Sequence, residues 1–190
     1  MAVIKAFRAF RYNSEAIGSI GLAAAPLLEV LSEPQAQALA GIPYNAIHLA
    51  RPADPGALAR LLADWRARKV ITQDPLPAFY PYYQHYSLYR THQIYVQKGL
   101  VALVRLNGAA DEPDIIVHED TLKHTLPDRL RVLAEAQMNV TPAHGLYYDP
   151  DFTLERLLDE HIHHPVLDFV DQQGVRNQLG VMQYREDLQA

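Results

Sequence analysis

Residues 78–106 constrain the fold of this chain more than any other stretch. Ala78 to Tyr89 (AFYPYYQHYSLY) and Thr91 to Leu106 (THQIYVQKGLVALVRL) are its two longest runs of aromatic and β-branched side chains. Such residues suit a pleated, half-buried surface, so both runs are predicted strands. They meet near Leu88 to Thr91 and are expected to pair as an antiparallel hairpin. The first run carries Phe79, Tyr80, Tyr82, Tyr83, Tyr86 and Tyr89 on both faces. One face packs a core. The other could stack a base or sugar, although the preference of tyrosine for strands explains most of the enrichment. An exposed aromatic strand of this kind is also a natural edge for a homodimer.

The flanking sequence supplies helices and shorter strands. Ala2 to Phe10 alternates with apolar residues in both registers, which reads as a short strand buried on both sides. Gly18 to Pro26 reads as a loop closed by a proline, and its glycines make no phosphate loop because no Gly-Lys-Ser/Thr follows. Ser32 to Ala40 is predicted as a short helix capped by Ser32, and Pro43 to Arg51 as an extended segment. A helix follows from Ala57 to about Arg68, with Leu58, Leu61, Leu62 and Trp65 on one face. Val70 to Gln73 is a short strand, and Asp74 to Pro77 a turn. Asp151 to His161 is a helix with Leu154, Leu157 and Leu158 inward, ended by Pro165. Val166 to Val170 and Val175 to Tyr184 close the chain as a hairpin around Gln172-Gln173-Gly174. Adjacent antiparallel pairs with helices between them predict an α+β fold: a mixed, largely antiparallel sheet with several short flanking helices, in a single domain over 1–190.

Composition excludes several classes. The 190 residues include no cysteine, so there is no disulfide framework, thiolate metal site or thiol nucleophile. No apolar run reaches the roughly 18 residues of a membrane helix, and MAVIKAFRAFRYN lacks the core of a signal peptide. A cytoplasmic location is expected. The net charge of −5 argues against nucleic-acid binding, which usually needs a basic stripe. The densest basic group, Arg60, Arg66, Arg68 and Lys69, reads as a solvated helix face.

Candidate chemistry gathers between Ile115 and Tyr147, read as strand end, polar turn, short helix and second strand. His118, Glu119, Lys123, Asp128, Arg129 and Asn139 lie in it. His118-Glu119 is no zinc motif, because Leu122 stands where the second histidine would be needed. Thr125-Leu-Pro-Asp128 fits a capping box, with Leu126, Leu130, Leu133 and Ala134 as the buried stripe. Asp128 then either caps a helix or joins an anion site at the helix start. An acid, a base and two cations there would suit phosphoryl or carboxylate chemistry. His161, His163 and His164 form a second cluster, which reads better as solvated histidines at a helix end than as a metal site.

Several stretches resemble the bacterial and archaeal DUF1015 family, whose function is unknown. They are IKAFRAFRYN, AAAPLLEVLS, PYNAIHLARP, VITQDPLPAFYPYYQHY, GLVALVRL, HEDTLKHTLPDRLRVL and NVTPAHGLYYD, in that order along nearly the whole chain. Two departures stand out. Where the family usually has Pro-Tyr-Asp-Val, this chain has Leu27-Leu28-Glu29-Val30. The chain also reaches Ala190 before an Asp-Gly-His-His-Arg-like segment that longer members carry, so it matches their N-terminal half. The resemblance extends to the ParB and sulfiredoxin superfamily and implies part of a small-molecule or nucleotide site in a longer protein. Phosphotransfer there would use a nucleotide with magnesium. On that footing Glu119 and Glu29 are the acid and base, and His118, Lys123 and Arg129 steer an anion. Asp128 also binds ligand, and Asn139 and Gln84 are polar lining. The alternative is a non-catalytic, ParB-like regulatory or interaction module.

Overall fold

The computed structural model describes residues 2–27, 30–52, 54, 56–106, 115–116 and 123–183. The chain forms two compact units interleaved in sequence. One comprises Met1–Phe10, Gln73–Glu119 and Tyr147–Ala190; the other comprises Arg11–Thr72 and Asp120–Leu146. The fold is α+β, as expected.

The first unit is built on the predicted hairpin. Strands β1 (Ile4–Lys5) and β6 (Leu103–Val104) pair antiparallel at its N-terminal end. The main sheet centres on β4 (Ala78–Ser87). On one side lies β5 (Ile94–Val101); on the other lie β8 (Arg176–Leu179) and β9 (Met182–Gln183), with β7 (Leu167–Val170) beyond β8. Every pairing is antiparallel. Because β4 is hydrogen-bonded along both sides, it is not the dimer edge that its aromatic sequence invited. Among the described residues the outer strands of this sheet are β5 and β7.

Pro81 is tolerated inside β4 for a local reason. Residues 78–79 pair with β9 and residues 82–85 with β8, so the proline falls at the change of partner. There the Pro81 carbonyl accepts from Gly180 N at 2.8 Å. A Cβ on Gly180 would stand 2.6 Å from the His161 carbonyl oxygen, so only glycine fits this approach.

Helix α7 (Thr153–Ile162) covers one face of the sheet. Asp149 starts it, accepting from Thr153 N and Glu155 N, each at 3.0 Å. Leu158 and Ile162 are buried against Tyr83, with Leu154 and Leu100 packed around them. Leu157, expected inward, is exposed, because one helical step turns it off the stripe that 154, 158 and 162 define. At the other end of β4, Tyr80 is 1% exposed, and its hydroxyl donates to Asp74 Oδ2 at 2.8 Å and accepts from Ala9 N at 3.0 Å. The N-terminal segment is not one doubly buried strand. Val3 and Ile4 are exposed, and Ala6 is the residue that goes inside.

In the second unit, strands β2 (Phe10–Tyr12) and β3 (Ile71–Gln73), which begin and end its first segment, pair with each other. The segment expected as a loop at 18–26 contains a short helix, α2 (Ile20–Ala23), and another, α1 (Ser14–Ile17), directly precedes it. Side-chain caps explain them: Asn13 Oδ1 accepts from Glu15 N, and Ser19 Oγ from Leu22 N. Helix α3 (Glu33–Ala40) follows Ser32 as predicted, with Gln35 Oε1 accepting from Ser32 N and Oγ.

The segment expected to be extended contains α4 (Ile47–Ala50). Its cause is Asn45, which is fully buried. The Asn45 amide donates to Leu22 O at 2.7 Å and Ala24 O at 2.9 Å, and its oxygen accepts from Ile47 N at 3.0 Å. Satisfying that buried amide overrides the apolar, strand-like pattern.

Helix α5 (Ala57–Ala67) buries Leu58, Leu62 and Trp65 on the predicted face, with Tyr12 and Tyr44 against the indole. Helix α6 (Leu126–Ala136) departs from expectation. The chain enters it through a 3-10 turn, Lys123–Thr125, which leaves Thr125 with helical dihedrals and no side-chain cap bond, so the capping box does not form. Its leucine stripe is not buried either: Leu126, Leu130 and Leu133 are exposed, and Ala136 is the buried residue. Glu135 instead reaches Gly56 N at 2.9 Å, at the start of α5. That contact turns another face of α6 toward α5. No strand follows at 139–147.

Candidate functional site

In an antiparallel sheet, residues paired across strands share a face. Gln84 pairs with Gln97 on β5 and Asn177 on β8, while Tyr86 pairs with Tyr95. These side chains and Tyr82 occupy the face of the sheet opposite the one α7 covers. Tyr86 and Tyr95 stack with centroids 6.0 Å apart and planes inclined by 25°. Asn177 is 2% exposed, and its amide is fully used. Its oxygen accepts from Tyr82 OH at 2.6 Å and Gln84 Nε2 at 3.0 Å. Its nitrogen donates to Asp171 Oδ2 at 3.2 Å and Val175 O at 2.9 Å. The buried amide thus fixes the half-buried Tyr82 and Gln84 in one orientation. Burial, then the nearby Asp171 charge, pushes the Tyr82 hydroxyl up, so it stays a donor at neutral pH. Gln84 Oε1 and the Tyr86 hydroxyl receive or make no hydrogen bond with the described residues. This face therefore offers stacked rings beside a pre-oriented amide.

The α7 face holds a group of four ionisable side chains, Lys98, Glu155, Asp159 and Tyr83. Lys98 Nζ lies 2.8 Å from Glu155 Oε1 and within 2.9 Å of both Asp159 oxygens. Tyr83 OH donates to Asp159 Oδ1 at 2.7 Å. Burial first, then the Asp159 bond, pushes the Tyr83 phenol well above its ordinary range. The Lys98 bond holds Asp159 low. For Lys98, burial pulls down, but the bonds from Asp159 and Glu155 outweigh it and leave the ammonium higher than usual. These bonds fasten α7 to the sheet. Sequence gave no sign of it, because Lys98 meets its carboxylates only through the register that places it opposite Tyr83.

In the second unit, Lys123, Asp128 and Arg129 are exposed around the start of α6. Asp128 lies 3.7 Å from Arg131 Nη2. Asn139 follows the other end of the helix, about 16 Å away for 11 residues at the α-helical rise. Lys123, Asp128 and Arg129 are thus near one another along the chain around the helix start, and Asn139 stands apart from them. Gln84 belongs to the first unit. Glu29, His118 and Glu119 lie outside the described residues. Among the described residues no three histidine or acidic side chains form a group able to hold a metal ion, the histidines at 161–164 included. No helix among them is long and apolar enough to cross a membrane.

No curated protein and no solved structure matches the chain. Residues 4–190 match the family described as "Protein of unknown function (DUF1015)". That match covers essentially the whole sequence, and the chain belongs to the DUF1015 family.

Proposed function

We propose that this DUF1015 chain is a small-molecule-binding domain that accepts a planar, nucleoside-like ring. The observation that carries the reading is the sheet face on which Asn177 holds Tyr82 and Gln84 beside the stacked Tyr86–Tyr95 pair. Aromatic side chains that stack a base contribute about 1–3 kcal/mol each. The free oxygen of Gln84 supplies an acceptor for a ring N–H.

The finer part of the proposal, phosphotransfer to a small metabolite with a magnesium nucleotide in the longer protein, rests on the resemblance of residues 118–133. In it Glu29 and Glu119 act as acid and base, and His118, Lys123 and Arg129 meet the anion beside Asp128. Asn139, at the other end of α6, would serve a separate contact.

Thermal-shift titration with adenosine, AMP and ATP, with and without magnesium, tests both parts. A ligand at 100 times its Kd adds about 2.7 kcal/mol, a readily measured rise in Tm. Adenosine alone is expected to raise Tm, and Gln84→Leu or Tyr86→Ala to abolish the rise. No shift with adenosine would end the ring-binding reading. A further rise with ATP that Arg129→Ala and Glu119→Gln leave unchanged would end the phosphate reading.

One observation favours a second reading, a non-catalytic interaction module: the exposed Leu126, Leu130 and Leu133 on α6. In that case the chain self-associates through this stripe as a homodimer. Sedimentation should then show a dimer that Leu130→Glu dissolves, and a wild-type monomer at high concentration counts against it.

A further inference from the structure

The second unit contains a groove of about 630 Å³ between α3, α4 and the start of α5. That volume is in the range of small-molecule sites. Its floor is apolar, formed by Ala36, Ala40, Ile47 and Leu61. Its rim carries one cation and one anion side by side. Arg51 Nη1 donates to Glu33 Oε2 at 2.9 Å, and Gln37 Nε2 donates to Glu33 Oε1 at 3.3 Å. Both charged side chains are more than half exposed, at 55% and 58%. An exposed pair of that kind contributes little to folding, so it opens readily. The Arg51 side chain makes no other hydrogen bond with the described residues, leaving donors of its fork available. His48, also on the rim, has Nε2 3.1 Å from Ile42 O and is held there by the backbone.

We propose that this groove binds an α-amino acid with an apolar side chain. Its carboxylate would take the Arg51 fork, its ammonium would take Glu33, and its side chain would lie on the alanine and isoleucine floor. The argument is complementarity. A plain carboxylate meets Arg51 but leaves Glu33 without its cation and faces it across the groove. A plain amine reverses the fault. A zwitterion replaces the existing pair with two new ones and buries apolar surface as well. The site lies wholly within the second unit and is independent of the ring-binding face in the first.

Calorimetric titration of the whole chain with L-leucine, 4-methylpentanoate and L-leucinamide tests this. The two analogues each lack one charge of leucine. Leucine is expected to bind at least about tenfold more tightly than either, the loss typical of one charge-assisted hydrogen bond. Arg51→Gln and Glu33→Gln should each weaken leucine by a similar factor. Ala40→Phe, which fills the exposed floor without touching the charges, should block it. All three positions are exposed, so unchanged circular-dichroism melting will show that the variants fold. Binding of 4-methylpentanoate to the wild-type chain as tight as that of leucine would overturn the proposal in favour of a carboxylate site. No heat with leucine, and no shifted amide resonances along α3 and α4, would overturn it outright.

Discussion

Helices α7 and α6 look alike as sequences and behave differently in the fold. Both carry leucines at helical spacing, and both carry acids and bases three or four residues apart. In α7 the stripe is covered: Leu158 is 0% exposed, and its charges meet Lys98 and Tyr83 on the sheet. In α6 Leu130 is 58% exposed, and Asp128 has only a 3.7 Å approach to an arginine of the same helix. Periodicity shows that a helix has an apolar face; it does not show what covers it. The cover for α7 is a sheet whose strands are set by their own pairing, and the helix docks on a surface already built.

The largest test of this contrast is leucine truncation. Leu158→Ala should cost about 3 kcal/mol, as expected for a fully buried leucine, and Leu130→Ala less than about 0.5 kcal/mol, both measured by denaturant unfolding. Equal costs would erase the distinction. Gly180→Ala comes next. A Cβ 2.6 Å from the His161 carbonyl forces the end of α7 off the sheet, at about 1–3 kcal/mol by overpacking.

A smaller effect separates the ion pairs. Asp159 has a folded pKa below its unfolded value of about 3.9, so its contribution is present above about pH 4 and is lost as pH falls through the lowered value. The carboxylate is partly exposed, which limits the effect to about 1 kcal/mol. Asp159→Asn should flatten the acid limb of the stability profile. Asp128→Asn on α6, whose carboxylate is exposed and 3.7 Å from Arg131, should change stability at neutral pH by less than about 0.5 kcal/mol in urea unfolding.

The smallest effect has the opposite sign and compares buried tyrosines. Tyr80 and Tyr83 hydroxyls are hydrogen-bonded, whereas the buried Tyr12 hydroxyl has no partner among the described residues. Tyr12→Phe should therefore raise stability by up to about 1 kcal/mol, read as a higher midpoint in urea. A loss of similar size would mean that an ordered water completes the site.

Much of the first unit was legible in the sequence. The central hairpin, the closing hairpin around Gly174 and the helix before Pro165 follow from period and turn chemistry alone. So does the buried face of α5 at Leu58, Leu62 and Trp65. The failures have physical causes. The apolar 43–51 segment looked extended because nothing local shows that Asn45 is buried and must bond Leu22, Ala24 and Ile47. The capping box at Thr125 looked sound because the 3-10 turn before it is invisible to a four-residue pattern. Gln84, expected as polar lining, lies on the sheet face beside Tyr86 and Asn177. Asn177, which orients it, was missed, since the two meet across strands 93 residues apart.

The most direct test of ring binding is an amide-correlation NMR titration of isotope-labelled protein with adenosine. The account predicts that shifted resonances cluster at Tyr82, Gln84, Tyr86, Tyr95 and Asn177. Shifts confined to other residues, or none at saturating adenosine, would contradict it.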